Sequence, residues 1–207
     1  MTPIVAFYAR KLGWMATPDE RRNHPEATPD VGGIAFFVAL VAAIFTAWQM
    51  DRFDPLFKNN SELVGVIIAG LVVFILGFID DIHEVSAPMK VTGVVVAAIA
   101  LVWVGVTMIY FRAPFVDVFV LSGDWIPFFT VILLLGMTQA INLIDGLDGL
   151  ATGIVAIAST AFFVYSRNLG VNGLLSEPNI GPLVAIITVG ICIGFLPFNF
   201  NPAKIFM

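Results

Sequence analysis

Six long apolar segments, separated by short polar connections, dominate the chain. Each approaches the roughly 20 residues that an α-helix needs to cross about 30 Å of hydrocarbon, and none shows the two-residue alternation of a barrel strand. The pattern therefore predicts an all-α fold, a polytopic transmembrane helical bundle of about six spans. Residues 4–8 are also apolar, but Arg10 and Lys11 follow at once, which predicts an N-terminal helix stub, the tail end of a truncated first helix. The six predicted spans are residues 31–50, 63–79, 91–111, 125–141, 150–166 and 181–198.

The composition agrees with residence in a membrane. The chain is 59% hydrophobic and 12% charged, whereas about a quarter of the residues in an ordinary soluble domain are charged. A formal net charge of -5 argues against the basic surface with which proteins hold nucleic acid, so no nucleic-acid partner is expected. Gly65, Gly70 and Gly77 lie in the second apolar segment, where small residues allow helices to pack closely.

The connections between six spans fall alternately on two faces of the membrane. The first face receives residues 1–30, 80–90, 142–149 and 199–207, and the second face receives residues 51–62, 112–124 and 167–180. Six lysines and arginines lie on the first face and four on the second. The positive-inside rule therefore predicts that the first face is cytoplasmic.

Two adjacent carboxylates end the second span on the first face. Asp80 and Asp81 close the apolar stretch in LGFIDDIHE. At a low-dielectric boundary, each of two like charges raises the free-energy cost of ionising the other, unless a bound cation or a proton from the substrate offsets it. The pair therefore suggests a divalent-metal or acid/base role.

A second polar cluster, NLIDGLDGLA at 142–151, follows the fourth span on the same face. Asn142, Asp145 and Asp148 recur every three residues, so in a helical turn their oxygens would point to roughly one face. Gly146 and Gly149 would allow the backbone to approach a ligand closely. Oxygen ligands without His or Cys favour a hard cation, and Mg²⁺ commonly keeps waters and bridges substrate phosphates.

Four ordered motifs on the first face carry a family resemblance. The chain resembles the polyprenyl-phosphate N-acetylhexosamine-1-phosphate transferases, integral membrane enzymes of glycosyltransferase family 4. Within this family the loop TPDVGG is more similar to the branch that transfers GlcNAc-1-phosphate to undecaprenyl phosphate than to the peptidoglycan branch. The motifs are HPEATPDVGGIAF at 24–36, GFIDDIHEVSAPMK at 77–90, NLIDGLDGLATG at 142–153 and FNFNPAKIFM at 198–207.

The resemblance implies an Mg²⁺-dependent phosphoglycosyl transferase, with Mn²⁺ as a substitute metal. Its partners would be a UDP-sugar, a polyprenyl phosphate lipid and the membrane, and UMP would be released during cell-envelope polysaccharide synthesis, such as lipopolysaccharide or teichoic acid. Asp80 and Asp81 match the family's catalytic aspartate pair at the lipid phosphate. Lys90 matches a lysine that contacts phosphate.

The same resemblance implies a donor site in the second cluster. Asn142 matches an asparagine associated with Mg²⁺, and Asp145 and Asp148 match aspartates of the metal and nucleotide pocket. Asp145 is accordingly expected to be catalytic. Asp148, Gly146 and Gly149 are expected to bind the substrate.

The motif order also predicts how the chain is organised. The family continues after AKIFM with a metal-binding aspartate, so we expect residues 1–207 to be a fragment of a single integral membrane transferase domain that lacks its C-terminal part. The expected location is the inner (plasma) membrane, multi-pass, with the active site facing the cytoplasm, and a homodimer is compatible with this arrangement. Two alternatives stay open: the phospho-MurNAc-pentapeptide transferase of peptidoglycan synthesis and, in a different class, a membrane transporter.

Overall fold

The computed structural model describes residues 2–16, 28–29, 31–58, 61–83, 85–112, 118–175 and 178–206. The start of the first motif, HPEA at 24–27, and its Asp30 lie outside these residues. Eight α-helices make up most of the described chain, which confirms the predicted all-α class. They are α1 Thr2–Leu12, α2 Gly32–Trp48, α3 Asp54–Lys58, α4 Ser61–His83, α5 Ala87–Trp103, α6 Ile126–Ile144, α7 Leu150–Val171 and α8 Gly181–Asn199.

Short extended segments and one 3₁₀ turn complete the described fold. The 3₁₀ turn Asp51–Phe53 joins α2 to α3. Two small antiparallel pairs connect other elements: β1 Met15–Ala16 with β2 Thr28–Pro29, and β3 Tyr110–Arg112 with β4 Val118–Val120. Helix α1 is the predicted N-terminal stub.

Every predicted span overlaps one long helix, but the helices differ in length. Four of the described helices, α4, α6, α7 and α8, are long and apolar enough to cross a membrane, and α2 makes a fifth only together with residues 51–58, from which it bends by 93°. Helix α5 has 17 residues, or roughly 25 Å at 1.5 Å per residue. Many large apolar side chains face outward, among them Leu143 and Ile157, as expected where lipid replaces water. The protein is a multi-pass integral membrane protein.

The third predicted span ends earlier than expected. Its apolar pattern continues to residue 111, whereas α5 stops at Trp103 and residues 110–112 form a strand. Gly105 has φ +96°, a left-handed conformation that glycine adopts without the Cβ penalty. This glycine ends the helix while the sequence remains apolar.

Close packing joins α4 to α5 and to the turn that follows α5. A Cβ at Gly65 would lie 2.1 Å from Cγ2 of Val104, and one at Gly93 would lie 2.5 Å from Cδ2 of Leu76. The interpretation of Gly65 as a helix-packing residue is therefore confirmed. Gly77 differs, because a Cβ there would meet no atom of the described residues within 4 Å, apart from its own helix backbone and its neighbours.

Residues 200–206 fold back into the first face and tie three parts of the chain together. The N–H of Phe206 donates to the Pro29 carbonyl at 2.8 Å, and the N–H of Gly32 donates to the Phe206 carbonyl at 2.9 Å. Ile205 is fully buried in a cluster with Ala35 of α2 and Phe195 of α8. This segment therefore anchors the start of α2 beside the end of α8.

A buried polar link fixes the end of α8 to α7. The hydroxyl of Thr152 donates to Oδ1 of Asn199 at 2.9 Å, and Nδ2 of Asn199 donates to the Ile205 carbonyl at 3.1 Å. Both side chains are buried, and a satisfied buried amide holds its partners in one geometry. The start of α7 and the chain end thus share one rigid corner of the first face.

Candidate active site

A cavity of about 470 Å³ opens between α2, α4, α6 and α8. Its polar lining includes Asp80 and Asp81 from α4, Asn142 from α6, and Asp145 at the end of α6. Four residues that the sequence selected, from two motifs separated by about sixty positions, therefore line one cavity. The expectation that the connections at 80–90 and 142–149 share a face agrees with this arrangement.

Asp80 is held by the connection that follows α4. Its Oδ1 accepts the N–H of Val85 at 2.9 Å, and its Oδ2 lies 2.7 Å from Nζ of Lys90. Lys90 is in the first turn of α5, which has a proline near its start. Because the connection between α4 and α5 is short, this turn lies close to the end of α4. A carboxylate at the C-terminal end of a helix is disfavoured by the helix dipole, and Lys90 offsets that cost. The lysine predicted to contact phosphate therefore lies beside the aspartate pair.

Asn142 and Asp145 reach the same cavity from the end of α6. Asn142 lies in the last turn of α6, and Asp145 caps its C-terminus with a backbone N–H bonded to the Ile141 carbonyl at 3.1 Å. Asn142 is exposed and Asp145 is half-buried. Both residues therefore line the cavity together with the aspartate pair.

Asp148 departs from the arrangement that its spacing suggested. Its Oδ2 accepts the N–H of Ala203 at 3.0 Å and Nδ2 of Asn201 at 3.3 Å, so the side chain faces the C-terminal segment. The three-residue period fails here because α6 ends at Ile144 and the chain turns before α7. The role expected for Asp148 in substrate binding stays a prediction.

The two glycines of the turn also differ. Gly146 is exposed, and a Cβ there would meet no described atom within 4 Å. Gly149 is buried with φ +73°, and a Cβ there would lie 3.3 Å from Cδ2 of Phe200. In the structure Gly149 thus forms the tight turn before α7 and allows the C-terminal segment to pack against it, while its predicted contact with substrate stays untested.

The donors at the cavity fit a magnesium ion that is shared with a substrate. They are carboxylate and amide oxygens, which are the ligands of a hard cation. Among the described residues no three His, Cys, Asp or Glu side chains converge closely enough to hold a metal by themselves. Mg²⁺ commonly takes one or two protein carboxylates and completes its shell with waters and substrate phosphates, which suits Asp145 with Asn142.

The cavity also has an aromatic and apolar lining, which α2 and α4 supply. The rings of Phe37 on α2 and Phe74 on α4 stack with centroids 4.8 Å apart and planes 6° apart, and Phe78 continues the row at 6.0 Å from Phe74. The sequence reasoning missed these residues. Gly70, Phe74, Gly77 and Asp81 repeat at the spacing of one helix face, so the face that carries the aspartate pair was the available signal.

Comparison with known proteins identifies the family. The model of glycosyl transferase family 4 matches residues 63–207, which include every predicted site residue. A decaprenyl-phosphate N-acetylglucosaminephosphotransferase of Mycobacterium tuberculosis is 35% identical over the whole chain, and a probable undecaprenyl-phosphate N-acetylglucosaminyl 1-phosphate transferase of Bacillus subtilis is 32% identical over the whole chain. A phospho-N-acetylmuramoyl-pentapeptide-transferase of Desulfitobacterium hafniense is 33% identical over the whole chain and is covered to 64% of its length.

The matches to these relatives cover the whole chain but only part of each relative. The chain spans about half the length of the first two relatives, 52% and 54% respectively. The family model covers more than half of the chain and includes both acidic motifs that line the cavity. The resemblance inferred from the motifs is therefore confirmed, and the chain belongs to glycosyl transferase family 4.

Proposed function

We propose that the protein transfers GlcNAc-1-phosphate from UDP-GlcNAc to undecaprenyl phosphate at the cytoplasmic face of the inner membrane and releases UMP. The observation that carries this proposal is the composition of the cavity, which is lined by three carboxylates and the Asn142 amide as well as by a row of aromatic rings. Such a cavity suits a substrate with a phosphate head and a hydrocarbon tail. The names of the mycobacterial and Bacillus relatives support the choice of GlcNAc-1-phosphate.

The acceptor phosphate would bind at the aspartate pair and Lys90. One oxygen of the lipid phosphate attacks the β-phosphorus of the UDP-sugar, the bond from that phosphorus to UMP breaks, and a lipid diphosphosugar forms. Lys90 can exchange part of its contact with Asp80 for the incoming phosphate, since both partners are anions. Asp80 and Asp81 would then position that phosphate and accept any proton that it carries.

The donor diphosphate would bind near Asn142 and Asp145. These are the residues that would hold Mg²⁺ together with the diphosphate, and the metal would supply neutralisation of the negative charge that builds up around the transferred phosphorus. Asp145 follows the last turn of α6 and is half-buried, so it is held by the fold before a substrate arrives. Preorganised groups of this kind lower a barrier without reorganising during the reaction.

The aromatic wall would receive the first isoprene units of the acceptor. Phe37, Phe74 and Phe78 form a row of rings that lines the cavity together with the aspartate pair. Flat aromatic faces pack well against the planar alkene carbons of an isoprenoid. The tail would then extend from the phosphate site into the membrane interior.

The peptidoglycan enzyme is the second candidate function, because the Desulfitobacterium relative with that name is 33% identical. The two candidates share the acceptor and differ in the donor. A transporter has no comparable support, since the acidic side chains of the cavity lie at the ends of α4 and α6 rather than in the middle of a span.

The deciding experiment measures transfer by the intact protein in detergent. UDP-[¹⁴C]GlcNAc and UDP-[¹⁴C]MurNAc-pentapeptide are supplied separately with undecaprenyl phosphate and Mg²⁺, and the lipid product is extracted and counted. The proposal expects lipid-linked label from UDP-GlcNAc alone, lost on addition of EDTA and in Asp81→Asn. Label from UDP-MurNAc-pentapeptide alone would favour the second candidate function instead. No lipid product from either donor would contradict both candidates. That residues 1–207 belong to a single integral membrane transferase domain remains part of the proposal.

A further inference from the structure

A second and larger cavity lies among the connections predicted for the second face and shares no lining residue with the acidic cavity. Its volume is about 680 Å³, and it is formed by the segment after α2, the C-terminal end of α7 and the start of α8. Two arginines, Arg52 and Arg167, line it together with a predominantly apolar wall. The apolar lining includes Phe53, Leu56, Phe163, Val171, Leu183 and Ile186.

The positive charges of this cavity are not neutralised by neighbouring acids in the described structure. Lys58, a few residues away, pairs with Asp54. Within the described residues neither Arg52 nor Arg167 has an acidic partner, although Asp51 and Asp54 lie in the same segment as Arg52. Two arginines without an acidic partner among the described residues thus line one cavity.

The two arginines lie in connections predicted for the second face, where positive charge is unusual. Positive-inside statistics disfavour lysine and arginine on the second face, and two of its four cations line this one cavity. Arginine binds phosphate through a planar fork of N–H donors, and at a membrane interface its alkyl stem can lie along apolar surface. A cavity with two guanidinium groups and an apolar wall is complementary to a ligand that joins a phosphate to a hydrocarbon chain.

We propose that this cavity binds the headgroup of an anionic phospholipid. The phosphate contacts Arg52 and Arg167, and the start of an acyl chain packs against the apolar wall. The lipid bridges the segment after α2 to the hairpin of α7 and α8, which are otherwise distant in sequence. This site is separate from the proposed transferase site and does not depend on it.

The test measures lipid retention by native mass spectrometry. The intact protein is purified in detergent and titrated with phosphatidylglycerol or with phosphatidylcholine. The variant Arg52→Gln/Arg167→Gln removes both charges, and Lys58→Gln is the matched control because it removes a second-face cation that pairs with Asp54 and does not line the cavity. We expect the wild-type protein and Lys58→Gln to retain phosphatidylglycerol preferentially, and the double arginine variant to bind it about tenfold more weakly, the factor for each 1.4 kcal/mol lost.

Two further arms distinguish other occupants. Millimolar inorganic phosphate should leave bound phosphatidylglycerol in place, and displacement of the lipid by free phosphate would overturn the assignment to a lipid headgroup. Glu177 lies outside the described residues and is the nearest acid in sequence to the α8 side of the cavity. If the wild type shows no lipid preference and Glu177→Gln gains one, the arginines are paired internally and the proposal is wrong. Equal retention by the double arginine variant would also overturn it.

Discussion

At the scale of the residue, the two adjacent aspartates have different surroundings. Asp80 accepts one backbone N–H and pairs with Lys90, and its side chain is 29% exposed. Asp81 is exposed and lines the same cavity. The geometry makes Asp80 the fixed member that positions Lys90, and the proposed contact with a lipid phosphate is assigned to Asp81, the more exposed residue of the pair.

The first prediction concerns the unit formed by Asp80 and Lys90. Asp80→Asn keeps an oxygen for the Val85 N–H but loses the ion pair, and Lys90→Gln loses the same pair from the other side. Each is expected to lower transfer by about two orders of magnitude, the usual loss when a group that stabilises developing charge is removed. The double variant should be hardly slower than either single one, because residues that act as a unit are not additive.

The measurement is initial rate of lipid-product formation with saturating donor. Asp54→Asn and Lys58→Gln provide the matched control, since they break an exposed ion pair on the second face worth only about 0.3–0.5 kcal/mol. Rate losses for Asp80→Asn and Lys90→Gln that multiply in the double variant would show that the two residues act independently.

The second prediction concerns Gly77, which faces open space and lines the cavity. Gly77→Leu should fill part of the acceptor path and raise KM for undecaprenyl phosphate about tenfold, corresponding to roughly 1.4 kcal/mol of lost binding. Gly190→Leu is the control, because Gly190 is also exposed with open space at its Cβ but is not among the residues that line this cavity. An unchanged KM in Gly77→Leu would show that undecaprenyl phosphate does not bind in this cavity.

At this scale sequence reasoning could select residues whose type was unusual for their place in the chain. Ionised carboxylates are costly beside the hydrocarbon of a membrane, so Asp80, Asp81 and Asp145 could be selected from the sequence alone. Phe37 and Phe74 were not, because an apolar side chain in a membrane helix has the same sequence signature whether it faces lipid, another helix or a cavity. Only the packing of α2 against α4 separates these cases.

At the scale of the element, the turn between α6 and α7 serves two purposes. Its first half presents Asn142 and Asp145 to the cavity, and its second half holds the C-terminal segment through Asp148 and the left-handed Gly149. Spacing alone could not show this division, since it depends on where α6 stops. The early end of α5 was hidden for the same reason, because the apolar pattern continues past its last helical residue.

The third prediction separates the two halves of this turn. Asp148→Ala should leave the Ala203 N–H without its acceptor, which costs about 1.5–3 kcal/mol for a bond to a charged group, reduced by the partial exposure of Asp148. We expect a lower thermal unfolding temperature in detergent together with a raised KM for the UDP-sugar. Asp148→Asn should restore most of the stability, because its amide oxygen can still accept that N–H.

Asn142→Ala supplies the contrast within the same turn. Asn142 is exposed, and its side chain makes no hydrogen bond to the described part of the chain, so its replacement should leave unfolding unchanged and raise the Mg²⁺ concentration needed for half-maximal rate. Unfolding temperature is followed by tryptophan fluorescence, and the metal requirement by titration of Mg²⁺ against initial rate. An Asp148→Ala protein as stable as the wild type would refute the structural role of that carboxylate.

At the scale of the whole molecule, two cavities mark two faces. The acidic cavity collects residues of the connections at 80–90 and 142–149, and the arginine-lined cavity collects residues after α2 and between α7 and α8. The alternation of apolar spans predicts the same grouping of connections that the two cavities show, and the side of the membrane on which each group lies stays a prediction. Which face is cytoplasmic was inferred only from six positive charges against four, and it decides whether the acidic site meets the nucleotide-sugar supply.

The last prediction therefore concerns sidedness. Leu147 in the α6–α7 turn is 70% exposed, and Leu174 after α7 is 73% exposed, so single cysteines at these positions differ in face but hardly in accessibility. Cys192 is buried and is first replaced by alanine to give a background without thiols. A membrane-impermeant maleimide should label Leu174→Cys in intact cells, and it should label Leu147→Cys and Val85→Cys only after permeabilisation, because the acidic site must reach the cytoplasmic UDP-sugar. Labelling of Leu147→Cys from outside intact cells would place the acidic cavity away from its nucleotide donor and remove the physical basis of the proposed transfer, whereas labelling of Val85→Cys and Leu147→Cys from opposite sides would contradict the shared cavity itself.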